Sequence, residues 1–261
     1  MDKRVVSRVL TGSDAHQGSC RMGVLAFGDS ITNGGGELQW GVALQSWALW
    51  VARGLGVPYT GYAVDGATVR DVVGAQIPAF DSRSPSGARY DVGCLYIGVN
   101  DVRSLGWDAE AFESDFRAAV QFLGARCDRV LTVTAPLDLG RPRAGAKVGD
   151  LDAAILRVAR DLGALVVDLR GWGARNHVMV DHVHPTAFGQ IDIAEQALSV
   201  LAGDGMRVLV APSTLISYSP SRRARLRGDW TYVYRHAKVT ARSVALQARV
   251  RLDGRRGPAT P

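Results

Sequence analysis

Five short apolar runs separated by helical patterns constrain this chain more than any other feature. Val24 to Phe27, Tyr59 to Val64, Tyr90 to Ile97, Arg129 to Thr134 and Ala164 to Leu169 each read as a strand. Between and after them, Trp40 to Gly54, Val69 to Gln76, Trp107 to Ala125, Leu151 to Leu162 and Thr186 to Leu201 read as helices. A strand that is followed by a helix and then another strand returns to the same edge of a sheet, so this alternation predicts one parallel α/β sheet covered on both faces. No segment repeats another. With 261 residues, 47% of them hydrophobic, the chain is long enough to bury such a core.

Chemistry-bearing residues stand where the strands end. The first run opens into Gly28-Asp29-Ser30 and then Gly34-Gly35-Gly36, the second into Asp65-Gly66-Ala67-Thr68, and the third into Gly98-Val99-Asn100-Asp101. A later loop before the last helix carries Asp181, His184 and Pro185. In an open parallel sheet the C-terminal ends of all strands share one edge, so these distant residues can converge. Each has a plain reading: Asp29 and Ser30 as helix caps, Gly66 as a turn residue, Asn100 as a turn or cap asparagine. Together they supply the parts that ester cleavage by a serine needs. His184 is the candidate base, Asp181 can orient it if the loop makes one turn, and the Ser30 and Gly66 amides with the Asn100 side chain are candidate oxyanion donors. The serine does not sit in G-x-S-x-G, which excludes the nucleophile-elbow template. His177 and His182 read as loop histidines, and Asp29 and Asp101 as braces for their loops. The glycine cluster matches neither phosphate-binding spacing, so no nucleotide is implied.

These blocks, Gly-Asp-Ser, the lone glycine of AVDGAT, G-x-N-D at Gly98 to Asp101 and D-x-x-H-P at Asp181 to Pro185, resemble the SGNH (GDSL-type) serine hydrolases over residues 22–203. The resemblance implies a three-layer, flavodoxin-like parallel sheet of about five strands, the fold of that family. It also implies a carboxylic ester hydrolase with Ser30 as nucleophile, Asp181 and His184 completing a triad, and Ser30, Gly66 and Asn100 as the oxyanion hole. No cofactor or metal is expected. One departure concerns Gly61, which stands where family members often have an asparagine. The expected partner is a small-molecule acyl or acetyl ester of a lipid, glycan or metabolite. The same acyl-serine could instead pass its acyl group to a sugar or alcohol, making an acyltransferase. A non-catalytic binding module is the third reading, and intact Ser30, Asp181 and His184 argue against it.

Charge divides the chain. The whole carries +6, yet residues 207–261 hold 12 Lys+Arg and 2 Asp+Glu, which leaves −4 for residues 1–206. Residues 204–261 read as a linker, a basic amphipathic helix and a tail, and residues 1–21 as a separate N-terminal segment. In the helix Leu226, Trp230, Val233, Tyr234, Ala237, Ala241, Val244, Ala245, Ala248 and Leu252 form one apolar stripe, which Arg227, Arg235, Lys238, Arg242, Arg249 and Arg251 avoid. The stripe either lies on an anionic membrane or packs on the hydrolase domain or a second copy. No specific nucleic-acid partner is expected. Cys20, Cys94 and Cys127 lack a disulfide or zinc pattern, and no apolar run has the length of a signal core or membrane span, so the expected location is cytoplasmic, with a membrane-peripheral option.

Overall fold

The computed structural model describes residues 21–139, 144–173 and 176–218, together with single residues between 221 and 244. Five parallel strands form one sheet in the order β2-β1-β3-β4-β5: β1 (Val24–Gly28), β2 (Tyr59–Gly61), β3 (Tyr90–Tyr96), β4 (Cys127–Val133) and β5 (Leu165–Val167). This is the doubly wound α/β architecture expected from the alternation, with the order reversing between β1 and β3. Every residue of β1 is buried, as a strand covered on both faces requires. β2 is shorter than its apolar run because it is an edge strand paired only with β1. Its extension stays attached all the same: the Tyr62 and Val64 amides donate to Ala26 and Gly28 carbonyls at 2.9 and 3.2 Å.

Two helical layers enclose the sheet. α1 (Trp47–Leu55) packs with α7 (Ala187–Gly203), and α5 (Ala109–Arg126) packs with α6 (Lys147–Leu162). Phe27, Phe80, Phe116, Trp47, Leu95 and Leu131 are among the large side chains fully buried between these layers. The tryptophans at 47 and 50 are core residues, at 0% and 3% exposure.

Three helical expectations are revised. The helix expected from Trp40 begins at Trp47, because the Ser46 side chain caps it by accepting from the Ala48 amide. Trp40 itself has a φ of 50°, which no α-helix admits. The helix expected to stop at Gln76 continues: α2 (Val69–Asp71) passes through a π-helical turn (Val72–Gln76) into α3 (Ile77–Arg83). Pro78 falls in the first turn after the π segment, where its missing N–H costs little. Just past β3, α4 (Val99–Arg103) makes a short helix where the sequence suggested only a turn.

Residues 204–218 run back against the domain. The Leu209 and Val210 amides donate to the Gly54 carbonyl at 2.8 and 3.2 Å, and the Ser213 amide donates to Glu195 Oε1 at 2.8 Å. The 1–20 part of the N-terminal segment, residues 140–143, the tail, and Arg227, Arg235, Arg242, Ala245, Ala248, Arg249, Arg251 and Leu252 lie outside the described residues. Among the described residues no helix is long and apolar enough to cross a membrane. Cys94 and Cys127 are both buried free thiols, and burial pushes each above the usual thiol range.

Candidate active site

At the end of β1 the chain turns sharply, and this turn presents Ser30. Gly28 has a φ of 153°, and a Cβ on it would lie 2.5 Å from the Tyr96 carbonyl oxygen and 2.6 Å from Thr32 Oγ1, so only glycine fits between β1 and β3. Asp29 Oδ1 accepts from the Ile31 amide at 2.9 Å, and the Asn33 amide donates to the Asp29 carbonyl at 2.9 Å. Ser30 Oγ then stands 2.8 Å from His184 Nε2, and His184 Nδ1 stands 2.7 Å from Asp181 Oδ2. The other oxygen of Asp181 accepts from the Val183 and His184 amides at 2.9 and 3.0 Å. One carboxylate thus closes the one-turn loop and aligns the ring. The three-residue spacing of Asp181 and His184 makes both possible.

Asn100 meets the turn that carries Gly66. The Asn100 side chain donates from Nδ2 to the Ala67 carbonyl at 2.9 Å, joining the loop after β3 to the turn after β2. An amide NH2 has two N–H donors, and this bond uses one. Gly66 has a φ of 78°, and a Cβ there would meet nothing within 4 Å, so glycine serves the backbone turn rather than a tight contact. Asp101 accepts from the Val69 amide through both oxygens at 3.2 Å, as a brace should.

Electrostatics favour a polarised relay. The hydrogen bond that His184 donates to Asp181 holds the ring above its ordinary value of 6.5 against the opposing effect of burial. Burial resists ionisation of Asp181, yet the His184 ring and the two backbone amides together keep that carboxyl below its usual range. Asp29 is fully buried, and desolvation pushes it up to about 7 while its charge, when present, acts on His184. Its Oδ2 has no hydrogen-bond partner among the described residues.

The two other described histidines are engaged elsewhere. His177 stacks on Trp172 with ring centroids 5.8 Å apart, and His182 Nδ1 lies 3.5 Å from Asp138 Oδ2. Among the described residues no cluster of His, Cys, Asp and Glu could hold a metal ion.

The model of the GDSL-like lipase/acylhydrolase family matches residues 26–190. The chain belongs to that family. This GDSL-like protein is accordingly a carboxylic ester hydrolase, and the match spans the loops that carry Ser30, Gly66, Asn100, Asp181 and His184. No curated protein sequence matches it. Among solved structures it is similar to an acetylxylan esterase from Geobacillus stearothermophilus (20% identity, 69% of this chain and 94% of that one, TM-score 0.54). It is also similar to an α/β hydrolase enzyme from the metagenome of Lake Arreo, Spain (20% identity, 69% and 95%, TM-score 0.55). A member of the lipolytic G-D-S-L family from Veillonella parvula shares 22% identity over 69% of this chain and 98% of that one, with a TM-score of 0.56. At these identities the likeness is one of fold.

Two glutamines in this GDSL-like protein escaped sequence reasoning. Gln190, fully buried in the first turn of α7, accepts from the Trp47 amide through Oε1 at 2.7 Å and donates from Nε2 to the Ile31 and Gly35 carbonyls at 2.9 and 3.1 Å. It therefore ties the nucleophile loop to the helix that follows His184. Gln76, in the π turn, pairs with both the amide and the carbonyl of Gly28 at 3.1 and 2.8 Å. One signal was available for Gln190: it is a polar residue within the inward-facing pattern of Ala187, Ile191 and Ala194. Gln76 had none, because only the π turn aims it at β1.

Proposed function

We propose that Ser30, His184 and Asp181 act as the nucleophile, base and orienting carboxylate of a serine esterase that works through an acyl-enzyme. The observation that carries this reading is the unbroken Ser30–His184–Asp181 hydrogen-bond relay, 2.8 and 2.7 Å long, at the C-terminal edge of β1. Neutral His184 takes the Ser30 proton at Nε2 while its Nδ1–H stays donated to Asp181. Ser30 Oγ bonds to the ester carbonyl carbon, and the carbonyl oxygen becomes an oxyanion. The Ser30 and Gly66 amides and the second Asn100 N–H are the donors assigned to it. Collapse breaks the ester C–O bond, and His184 returns the proton to the departing alcohol. A water molecule, deprotonated by the same ring, then attacks the acyl carbon; the bond from that carbon to Ser30 Oγ breaks, His184 returns the proton to Ser30, and the carboxylic acid leaves.

The substrate class is an O-acyl or O-acetyl ester of a small molecule. An acetylated glycan is one member of that class, and the likeness to an acetylxylan esterase supports testing it. Residues 22–203 are assigned as the catalytic unit. Ser30→Ala is expected to abolish both turnover of p-nitrophenyl acetate and labelling by a fluorophosphonate probe, since only a base-activated serine reacts readily with either. Labelling that survives the substitution would sink the assignment.

A further inference from the structure

The chain after α7 returns to the rim of the site before it leaves the domain. Tyr218 stacks on Trp40 with ring centroids 6.1 Å apart and meets Phe188 edge-on at 4.7 Å. Trp40 lies on the loop that follows Ser30, and Phe188 is in the first turn of α7, four residues beyond His184. The C-terminal segment is therefore rooted beside the two loops that carry the relay.

From that root outward, every described residue between Arg223 and Val244 is helical and exposed. Leu226, Trp230, Val233, Tyr234 and Val244 are 68%, 74%, 53%, 61% and 59% exposed. At 100° per residue these five fall within about 100° of one another around the helix, so they form a single stripe. These five side chains do not pack on the hydrolase domain, which argues against the first of the two packing readings. Large apolar side chains aligned on one face and left in solvent mark a surface that something covers.

Charge selects what covers it. Residues 207–261 carry 12 Lys+Arg against 2 Asp+Glu. A second copy would bring the same excess of +10, setting two like-charged segments against each other across the stripe. Anionic lipid supplies the opposite sign, and its headgroup boundary accepts a helix whose apolar face carries Trp and Tyr among aliphatic residues. We propose that the segment through Leu226, Trp230, Val233, Tyr234 and Val244 docks this protein on an anionic lipid surface, with the relay-bearing loops rooted at the near end of that segment.

The full chain, mixed with vesicles of phosphatidylcholine alone or with phosphatidylglycerol added, tests this by co-sedimentation. Binding is expected only to the vesicles that contain phosphatidylglycerol, and it should weaken at least about tenfold in Trp230→Glu and in Leu226→Glu. Both variants should keep their Tm and their turnover of a short soluble ester, and Ser30→Ala should bind vesicles like the unaltered chain. The proposal is overturned if the unaltered chain ignores phosphatidylglycerol or if both stripe variants bind undiminished. It is equally overturned if light scattering shows a dimer that Trp230→Glu dissociates, since a second copy would then cover the stripe.

Discussion

Single residues divide the labour at the site by which atoms they leave available. Asn100 spends one N–H on the Ala67 carbonyl, which orients its amide so that the other donor has a defined direction. Replacing it with alanine should lower kcat by on the order of 10²-fold with little change in KM, the signature of a donor that acts on the transition state. Steady-state kinetics on p-nitrophenyl acetate check this, and an unchanged kcat removes Asn100 from the oxyanion hole.

Asp29 acts through charge. The Asp181 hydrogen bond first, and the Asp29 charge in addition, hold His184 above 6.5, so kcat/KM should rise with pH through an ionisation above that value. Asp29→Asn keeps an oxygen for the Ile31 amide but removes the charge, and the rising limb should move to lower pH. For stability the sign is separate. Burial raises Asp29 from 3.8 to about 7, so the native state binds that proton more tightly than the unfolded chain. The unaltered protein therefore loses stability as pH climbs between those values, and the raised His184 adds loss in the same direction as pH passes its own folded value. Asp29→Asn removes the Asp29 contribution and leaves those of His184 and of Asp101 and Asp152, which burial raises to about 6, so urea midpoints at pH 5 and pH 8 should differ less than in the unaltered protein.

At the scale of elements, the site depends on helices that touch no substrate. α7 begins at a threonine cap, with Thr186 accepting from the Gly189 amide at 3.2 Å, and this start sets Gln190 against the nucleophile loop. Gln190→Leu leaves the Trp47 amide and the Gly35 carbonyl without their side-chain partner in a buried place and takes from the Ile31 carbonyl one of its two donors, the other being the Gly34 amide at 3.3 Å. A cost of about 3 kcal/mol follows, a Tm drop on the order of 10 °C for a domain of this size. Because that loop carries Ser30, kcat should fall as well. Calorimetry and kinetics on the same preparation check both effects, and a stable variant with reduced kcat would show that Gln190 positions the loop without supporting the fold. The π turn works in the same way on Gly28. Its extra residue per turn rotates Gln76 towards β1, whereas a regular helix through Val72 to Ile77 would point that amide elsewhere.

Across the whole molecule, the relay and its braces lie between residues 28 and 190, and the exposed stripe lies beyond residue 222. Deleting residues 222–261 spares the Tyr218 stack on Trp40 and every hydrogen bond of the site. The truncated protein should therefore keep its Tm and its pH profile on a short soluble ester. A folded but inactive truncation would show that the C-terminal segment completes the site.

Much of this protein was legible without coordinates. Strong apolar periodicity gives the number of strands and their succession along the chain, and parallel pairing then brings Ser30, Gly66 and Asn100 to one edge, because each lies within five residues of the end of a strand. The Asp181 and His184 spacing likewise carries its own geometry, since one turn of loop lets a single carboxylate bond both the backbone and the ring. What the tertiary structure decided are the partners that no local pattern encodes. Gln76 and Gln190 find Gly28 and Ile31 only after distant segments pack, at separations of 48 and 159 residues. The start of α1 was misread because Trp40 and Val42 fit a helical period as well as Trp47 does, and the decisive element was a cap at Ser46. The C-terminal stripe was visible as a pattern. Periodicity states that a face is apolar but not what it faces, and only the exposure of Trp230 and its neighbours shows that the hydrolase domain does not cover it.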